Sequence, residues 1–281
     1  MRLGIFAKTF EGADPGSVLS AVSEAGFSVS QYSMACSGFP EMPDAIPENA
    51  ARAVSEAAAT AGVKIVAVSG TYNMIHPDPM VRATGHKRLA VLASAAASLS
   101  TRLITLCTGT RDAADQWRGH PGNNEPEAWR DLLAAMETAI RIADQYDIEL
   151  GIEPELANVV DSAKKARRLL DEIASPRLRI ILDPANLFET ATADDQRAIV
   201  SAAVDLLAGR IAMGHAKDRT SAGAFTAAGK GILDYPHLLS CLKRVGFDGA
   251  LVAHGLASAD AGGVGAFLRQ ALGDAGIAVS S

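Results

Sequence analysis

Four apolar runs in the second half of the chain each end on a side chain that can hold a metal or move a proton. They read Gly151-Ile152-Glu153-Pro154-Glu155, Ile181-Leu182-Asp183-Pro184-Ala185-Asn186, Gly214-His215-Ala216-Lys217-Asp218 and Val252-Ala253-His254-Gly255. One acidic residue at such a place is commonly a turn or cap residue, and one histidine is commonly a hydrogen-bonded part of the framework. Four in succession point to a shared centre built from Glu153, Asp183, His215 and His254. Carboxylate oxygens mixed with imidazole suit one divalent ion, Mn²⁺ foremost, with Zn²⁺, Co²⁺, Fe²⁺ or Mg²⁺ as alternatives. Cysteine is missing from the set, which argues against a structural zinc. Such an ion polarises a carbonyl while a carboxylate removes a proton from the adjacent carbon. Glu153 is the expected base.

Other side chains are candidates for holding substrate. Glu155 either orients hydroxyl groups or hydrogen-bonds at the rim, and Asn186 is placed to meet a hydroxyl. Lys217 is expected at the mouth of the site, with Asp218 as its pairing partner. His76, in Asn73-Met74-Ile75-His76-Pro77-Asp78, either touches substrate or packs its loop, and Arg111 could meet a hydroxyl or phosphate. Trp117 and His120 open a Gly/Pro/Asn-rich stretch, 117–126, long enough to act as a lid. Gly229-Lys230-Gly231 offers two amides and the Lys230 ammonium to a phosphate, or simply permits a turn.

These residues need a scaffold that gathers strand ends. Short apolar runs at Leu3–Ala7, Ser28–Tyr32, Lys64–Ser69, Leu103–Cys107, Glu149–Glu153, Leu178–Asp183, Ile211–His215 and Ala250–His254 alternate with helical periodicity. Near-continuous apolar strands are those of a parallel sheet covered on both faces. Helix signals fill the intervals: Asp14-Pro15 as a start and Gly26 as a stop, a second helix between Pro47 and Gly62, and a long one from Pro126 to Tyr146. Eight strands, each followed by a helix, predict one α/β domain over residues 1–281, a single (β/α)8 TIM barrel. No Gly-x-Gly-x-x-Gly follows the first strand, which disfavours a doubly wound dinucleotide fold.

Composition agrees with a globular enzyme. Of 281 residues, 48% are hydrophobic and 21% charged, enough for a large core. The net charge of −6 supplies no basic face for nucleic acid, and no run is long enough for a membrane helix. Three widely separated cysteines fit free thiols, so a cytoplasmic location is expected. Homo-oligomerisation is left open.

The order Glu153-Pro-Glu, Leu182-Asp183-Pro-Ala-Asn, His215-Ala-Lys-Asp, Gly229-Lys-Gly-Ile-Leu-Asp234 and Gly246-Phe-Asp-Gly resembles the sugar phosphate isomerase/epimerase family of the xylose-isomerase-like TIM barrels. The resemblance implies a divalent metal held by Glu, Asp, His and a second Glu, with the two glutamates flanking a sugar carbon. Glu153, Asp183 and His215 match the first three; His254 stands where the family places the last. The implied activity is isomerisation or epimerisation of a sugar, keto-sugar or polyol through an enediolate. Elimination by a dehydratase or lyase is the alternative. A non-catalytic sugar-binding or partner-subunit barrel and a metal-dependent endonuclease are further rivals, the latter disfavoured because strands 3 and 4 end without histidine. His254 has three readings: fourth ligand, free acid/base, or framework residue.

Overall fold

A computed structural model describes residues 1–280. Its strands are β1 (Arg2–Phe6), β2 (Val29–Tyr32), β3 (Lys64–Ser69), β4 (Leu103–Cys107), β5 (Glu149–Glu153), β6 (Leu178–Leu182), β7 (Ile211–Arg219), β8 (Phe225–Ala227) and β9 (Ala250–Ala253). All but β8 pair in parallel in the cyclic order β1-β2-β3-β4-β5-β6-β7-β9, and β9 returns to β1. The helices are α1 (Pro15–Glu24), α2 (Glu48–Ala61), α3 (Pro79–Ala95), α4 (Pro126–Tyr146), α5 (Ala163–Ile173), α6 (Ala193–Leu207), α7 (Tyr235–Arg244) and α8 (Ala261–Asp274). They supply the crossovers that parallel neighbours require. The expected (β/α)8 barrel is the observed architecture.

The pleat divides each strand between two cores. Outward residues such as Leu3, Ile5, Leu106 and Ile152 pack with helix residues including Val18, Leu132 and Met136. Each fully buried Leu or Ile contributes about 1.5–3 kcal/mol. Inward residues form a smaller plug of Val29, Ala67, Leu103, Ile181, Met213, Ala250 and Val252. Gly151 is required there, because a Cβ would lie 2.5 Å from Ile181 Cδ1. The plug fills the middle of the barrel. Glu153, two residues beyond Gly151 on the same face, therefore emerges above it at the carboxyl end.

Local signals act as the sequence indicates. Asp14 accepts from the Ser17 N–H (2.8 Å) to start α1, Asp234 accepts from the His237 N–H (2.9 Å) to start α7, and Gly62 ends α2 at φ +66°. A capping side chain of this kind is worth about 1 kcal/mol. Strand boundaries shift by one residue at β1, β2, β6 and β9 and by four at β7. The sixth strand stops before Asp183, because that carboxylate caps the following 3-10 turn, Pro184–Asn186. The seventh continues past His215 to Arg219, because residues 217–219 pair antiparallel with β8. Among the described residues no helix is long and apolar enough to cross a membrane. Cys36, Cys107 and Cys241 are buried free thiols.

Candidate active site

At the carboxyl end of the barrel, Glu153, Asp183 and His215 come together, all buried. His215 places Nδ1 3.2 Å from Glu153 Oε1 and Nε2 2.7 Å from Gln31 Oε1. Gln31 rises from β2 and donates its own amide to Thr105 Oγ1 (3.2 Å) on β4. Asp183 accepts the Ala185 N–H at Oδ1 (3.0 Å), while Oδ2 is paired with the Lys217 ammonium at 3.0 Å. Asn186 ties the carboxylates together. Its amide donates to Glu153 Oε1 (2.7 Å) and Glu155 Oε1 (3.1 Å), and its carbonyl accepts from Lys217 Nζ (2.8 Å).

The electrostatics separate the two glutamates. Burial alone would raise Glu153, but the charge and hydrogen bond of His215 and the charge of Lys217 outweigh it and bring the carboxyl to about 2. Glu155 is pushed up to about 8 by burial and by the Glu153 charge beside it. One carboxyl is thus ionised and its neighbour protonated at neutral pH, a division of acid and base forms made by environment. Burial also raises Asp183, against the pull of Lys217. For His215 and Lys217 burial acts downward, yet the surrounding carboxylates prevail and raise both.

A divalent ion fits these side chains. One ligand atom each from Glu153, Asp183 and His215 lies within 4.8 Å of the others, and two carboxylates with one imidazole are a donor set that suits such an ion. Cys107 forms a second such group with Glu153 and Glu155. Burial and the two glutamates push its thiol well above the usual range, so it stays protonated and makes a poor ligand.

A cavity of about 310 Å³ opens above this cluster, with Gln31, Glu153, Glu155, His215, Lys217 and His254 in its walls. Two exposed aromatics border it. Trp117 reaches it from the expected lid segment, and Phe225 lies against Lys217 Nζ and Arg219 Cζ, each 3.9 Å from the ring centre.

The remaining candidates are placed elsewhere or engaged otherwise. Both ring nitrogens of His76 are held by its own loops, at Ala113 O (3.1 Å) and the Asp78 N–H (3.0 Å). Arg111 is tied to Ile75 O (3.1 Å) and Asp131 (2.7 Å). His120 accepts from the Gly122 N–H, and Lys230 pairs with Asp260 at the surface. None of these four lines the cavity. The expected phosphate loop is also differently used. Gly229 and Gly231 both donate to Asp218 Oδ2 at 3.1 Å, so a protein carboxylate already occupies that nest of amides. The expected Lys217–Asp218 pair gives way to Lys217–Asp183, because residue 218 points to the opposite face of β7. Sequence reasoning missed Gln31, which follows another polar residue in Val29-Ser30-Gln31-Tyr32 and is informative only once the pleat turns it inward.

The family profile described as xylose isomerase-like TIM barrel matches residues 19–261. The chain belongs to that family. Solved structures of similar shape include the 3-keto-D-glucoside 4-epimerase of E. coli (16% identity, TM-score 0.74, covering 96% of this chain and 99% of that one). A D-tagatose 3-epimerase-like protein (16%, 0.77, 98% and 98%) and an L-ribulose 3-epimerase (17%, 0.76, 98% and 95%) are further neighbours. No curated protein matches the sequence significantly.

Within this xylose isomerase-like barrel, His254 is the singular feature. Its ring packs 5.1 Å from the His215 ring and 5.3 Å from Phe6. It does not join the mutually close group of Glu153, Asp183 and His215. Burial, then the positive charges of His215 and Lys217, depress it to about 3, so its imidazole is neutral.

Proposed function

We propose that this chain is a divalent-metal-dependent epimerase or isomerase of a keto-sugar. The observation that carries the reading is the mutual convergence of Glu153, Asp183 and His215 beside a small cavity at the barrel mouth, whose wall Glu153 and His215 form. The sugar epimerases among the solved structures of similar shape support it.

Glu153, Asp183 and His215 would hold the ion, Mn²⁺ being the natural match to two carboxylates and imidazole. When bound, the ion would polarise the substrate carbonyl and steady the charge that develops on its oxygen. Glu153, ionised at neutral pH, takes the proton from the adjacent carbon. Asn186 fixes the Glu153 carboxylate and Lys217 holds Asn186 in turn. Glu155 in its protonated form donates a hydrogen bond to a substrate hydroxyl. His254, neutral at the rim, accepts a hydrogen bond from a substrate hydroxyl. Trp117 and Phe225 cover apolar sugar faces and keep water from the reacting carbon.

The test is incubation of metal-free protein with Mn²⁺, Co²⁺, Zn²⁺ or Mg²⁺ and a panel of keto-sugars, with products resolved by NMR. Conversion to an epimer or isomer without loss of water is expected. A dehydrated product would establish elimination instead, and turnover undiminished by chelator would contradict the metal.

A further inference from the structure

The pleat that lifts Glu153 and Asp183 to one end of the barrel sends other charges to the opposite end. Glu149, Gly151 and Glu153 share one face of β5, and Arg179 and Ile181 share the face of β6 that leads to Asp183. Glu149 and Arg179 therefore stand at the amino-terminal end, beneath the plug. There a hollow of about 530 Å³ is ringed by Arg2, Lys64, Arg102 and Arg179 and by the carboxylates of Glu149 and Asp248. Its inner wall is apolar: Leu103 belongs to the plug, and Val66 and Ala212 pack against it.

The charge at this end is not balanced. Its ion pairs are Arg102–Asp147, Arg177 with Asp144 and Asp147, and Arg179–Glu149. Among the described residues they leave Arg2, Lys64 and Arg210 without a carboxylate. Arg179 meets Glu149 only at 3.5 Å, and its Nε is buried without a hydrogen-bond partner. Arg210 is its neighbour across the sheet, where the Ile180 N–H donates to Arg210 O (2.9 Å). The Arg210 guanidinium donates to Ser175 O (2.6 Å), yet its Nε also lacks a partner. Burial, then the charges of Arg179 and Arg167, depress that guanidinium. Arg2, Lys64, Arg179 and Arg210 thus outnumber Glu149 and Asp248, on a chain whose net charge is −6. Buried donors left unpaired and like charges held together are both unfavourable. An anion in the hollow offsets them.

A carboxylate is matched by one guanidinium, whereas cations arriving from separate strands suit a dianion with several oxygens. The apolar wall beside them suits a carbon skeleton. We infer that this hollow is a second ligand site, for a phosphate monoester: the phosphate lies among Arg2, Lys64 and Arg179, and the organic part lies on Val66, Leu103 and Ala212. The site is independent of the keto-sugar reading, since no residue of the hollow lines the cavity at the barrel mouth.

The experiment is calorimetric titration of the protein with phenyl phosphate and, separately, with inorganic phosphate, in EDTA so that no divalent ion captures either. Phenyl phosphate is expected to bind about tenfold more tightly, because its ring covers the apolar wall. Lys64→Glu, which reverses a charge at the rim, should weaken phenyl phosphate by about tenfold or more. Asp248→Asn, which removes an opposing charge, should tighten it severalfold. Both side chains are exposed, and circular dichroism checks folding. No binding of phenyl phosphate at millimolar concentration, or an affinity unmoved by both variants, overturns the site. Inorganic phosphate bound as tightly as phenyl phosphate overturns the monoester and marks a site for the free anion.

Discussion

At the residue scale the account turns on how the imidazole of His215 is aimed. Gln31 accepts at Nε2, which reserves Nδ1 for the side of Glu153 and Asp183. Outer hydrogen bonds of this kind commonly change metal affinity by about 10–100-fold. Gln31→Leu should therefore weaken Mn²⁺ binding by that order in a chelator competition assay, and Gln31→Glu, which keeps an acceptor oxygen, should recover most of it. A Leu variant with native affinity would reduce Gln31 to packing. Asp183→Ala should abolish binding, since it leaves one carboxylate and one imidazole. At His254 the expectation is opposite in sign. His254→Glu adds a negative charge beside the cluster, so Mg²⁺, a hard ion, should gain more affinity than Zn²⁺. Equal gains or losses for the two would separate His254 from the ion's surroundings. Glu153, Asp183 and His215 were legible in the sequence because each closes an apolar parallel strand, and parallel barrels gather those ends. Gln31 was not, because a polar residue in a strand carries no mark of which face it takes. His76, Arg111 and His120 have the composition of site residues, but loop carbonyls, loop amides and Asp131 claim their polar atoms.

At the element scale β7 and its continuation decide which charges face the cavity. His215 and Lys217 share one face of the strand and Asp218 takes the other, where it accepts N–H groups from Arg219, Gly229, Gly231 and Leu233. That carboxylate organises the whole connection from β7 to α7. Asp218→Ala would leave several amides without acceptors at about 1–3 kcal/mol each. A loss of more than about 3 kcal/mol is expected in urea unfolding, among the large effects of single substitutions. A shift below about 1 kcal/mol would mean the loop is held by other contacts. The alternation that separates Lys217 from Asp218 is a sequence regularity, yet it became usable only with β7 extended to Arg219. That extension depends on β8, three residues with no apolar pattern of their own, which form a strand only because β7 lies beside them.

On the scale of the whole molecule, the plug inside the barrel and the helices outside form a rigid frame, and the carboxyl-end loops surround the candidate site. The eight-strand plan was readable from end to end, since strand and helix periods alternate throughout. The shape of the mouth was not, since it depends on loops meeting across the barrel. An ion held by three strands should brace that frame. Mn²⁺ at a hundred times its Kd would stabilise the fold by about 2.7 kcal/mol, a rise of about 5 °C in Tm for a chain of this size, reversed by EDTA and absent in Asp183→Ala. The central claim is that Glu153 removes a proton from carbon next to a carbonyl. The most direct measurement is turnover of a keto-sugar substrate in D2O by Mn²⁺-loaded enzyme, with the product read by NMR. The account predicts deuterium at the reacting carbon in wild type, and neither turnover nor exchange in a Glu153→Gln protein that still binds Mn²⁺. Product that keeps its original hydrogen, or exchange that persists in the variant, would contradict it.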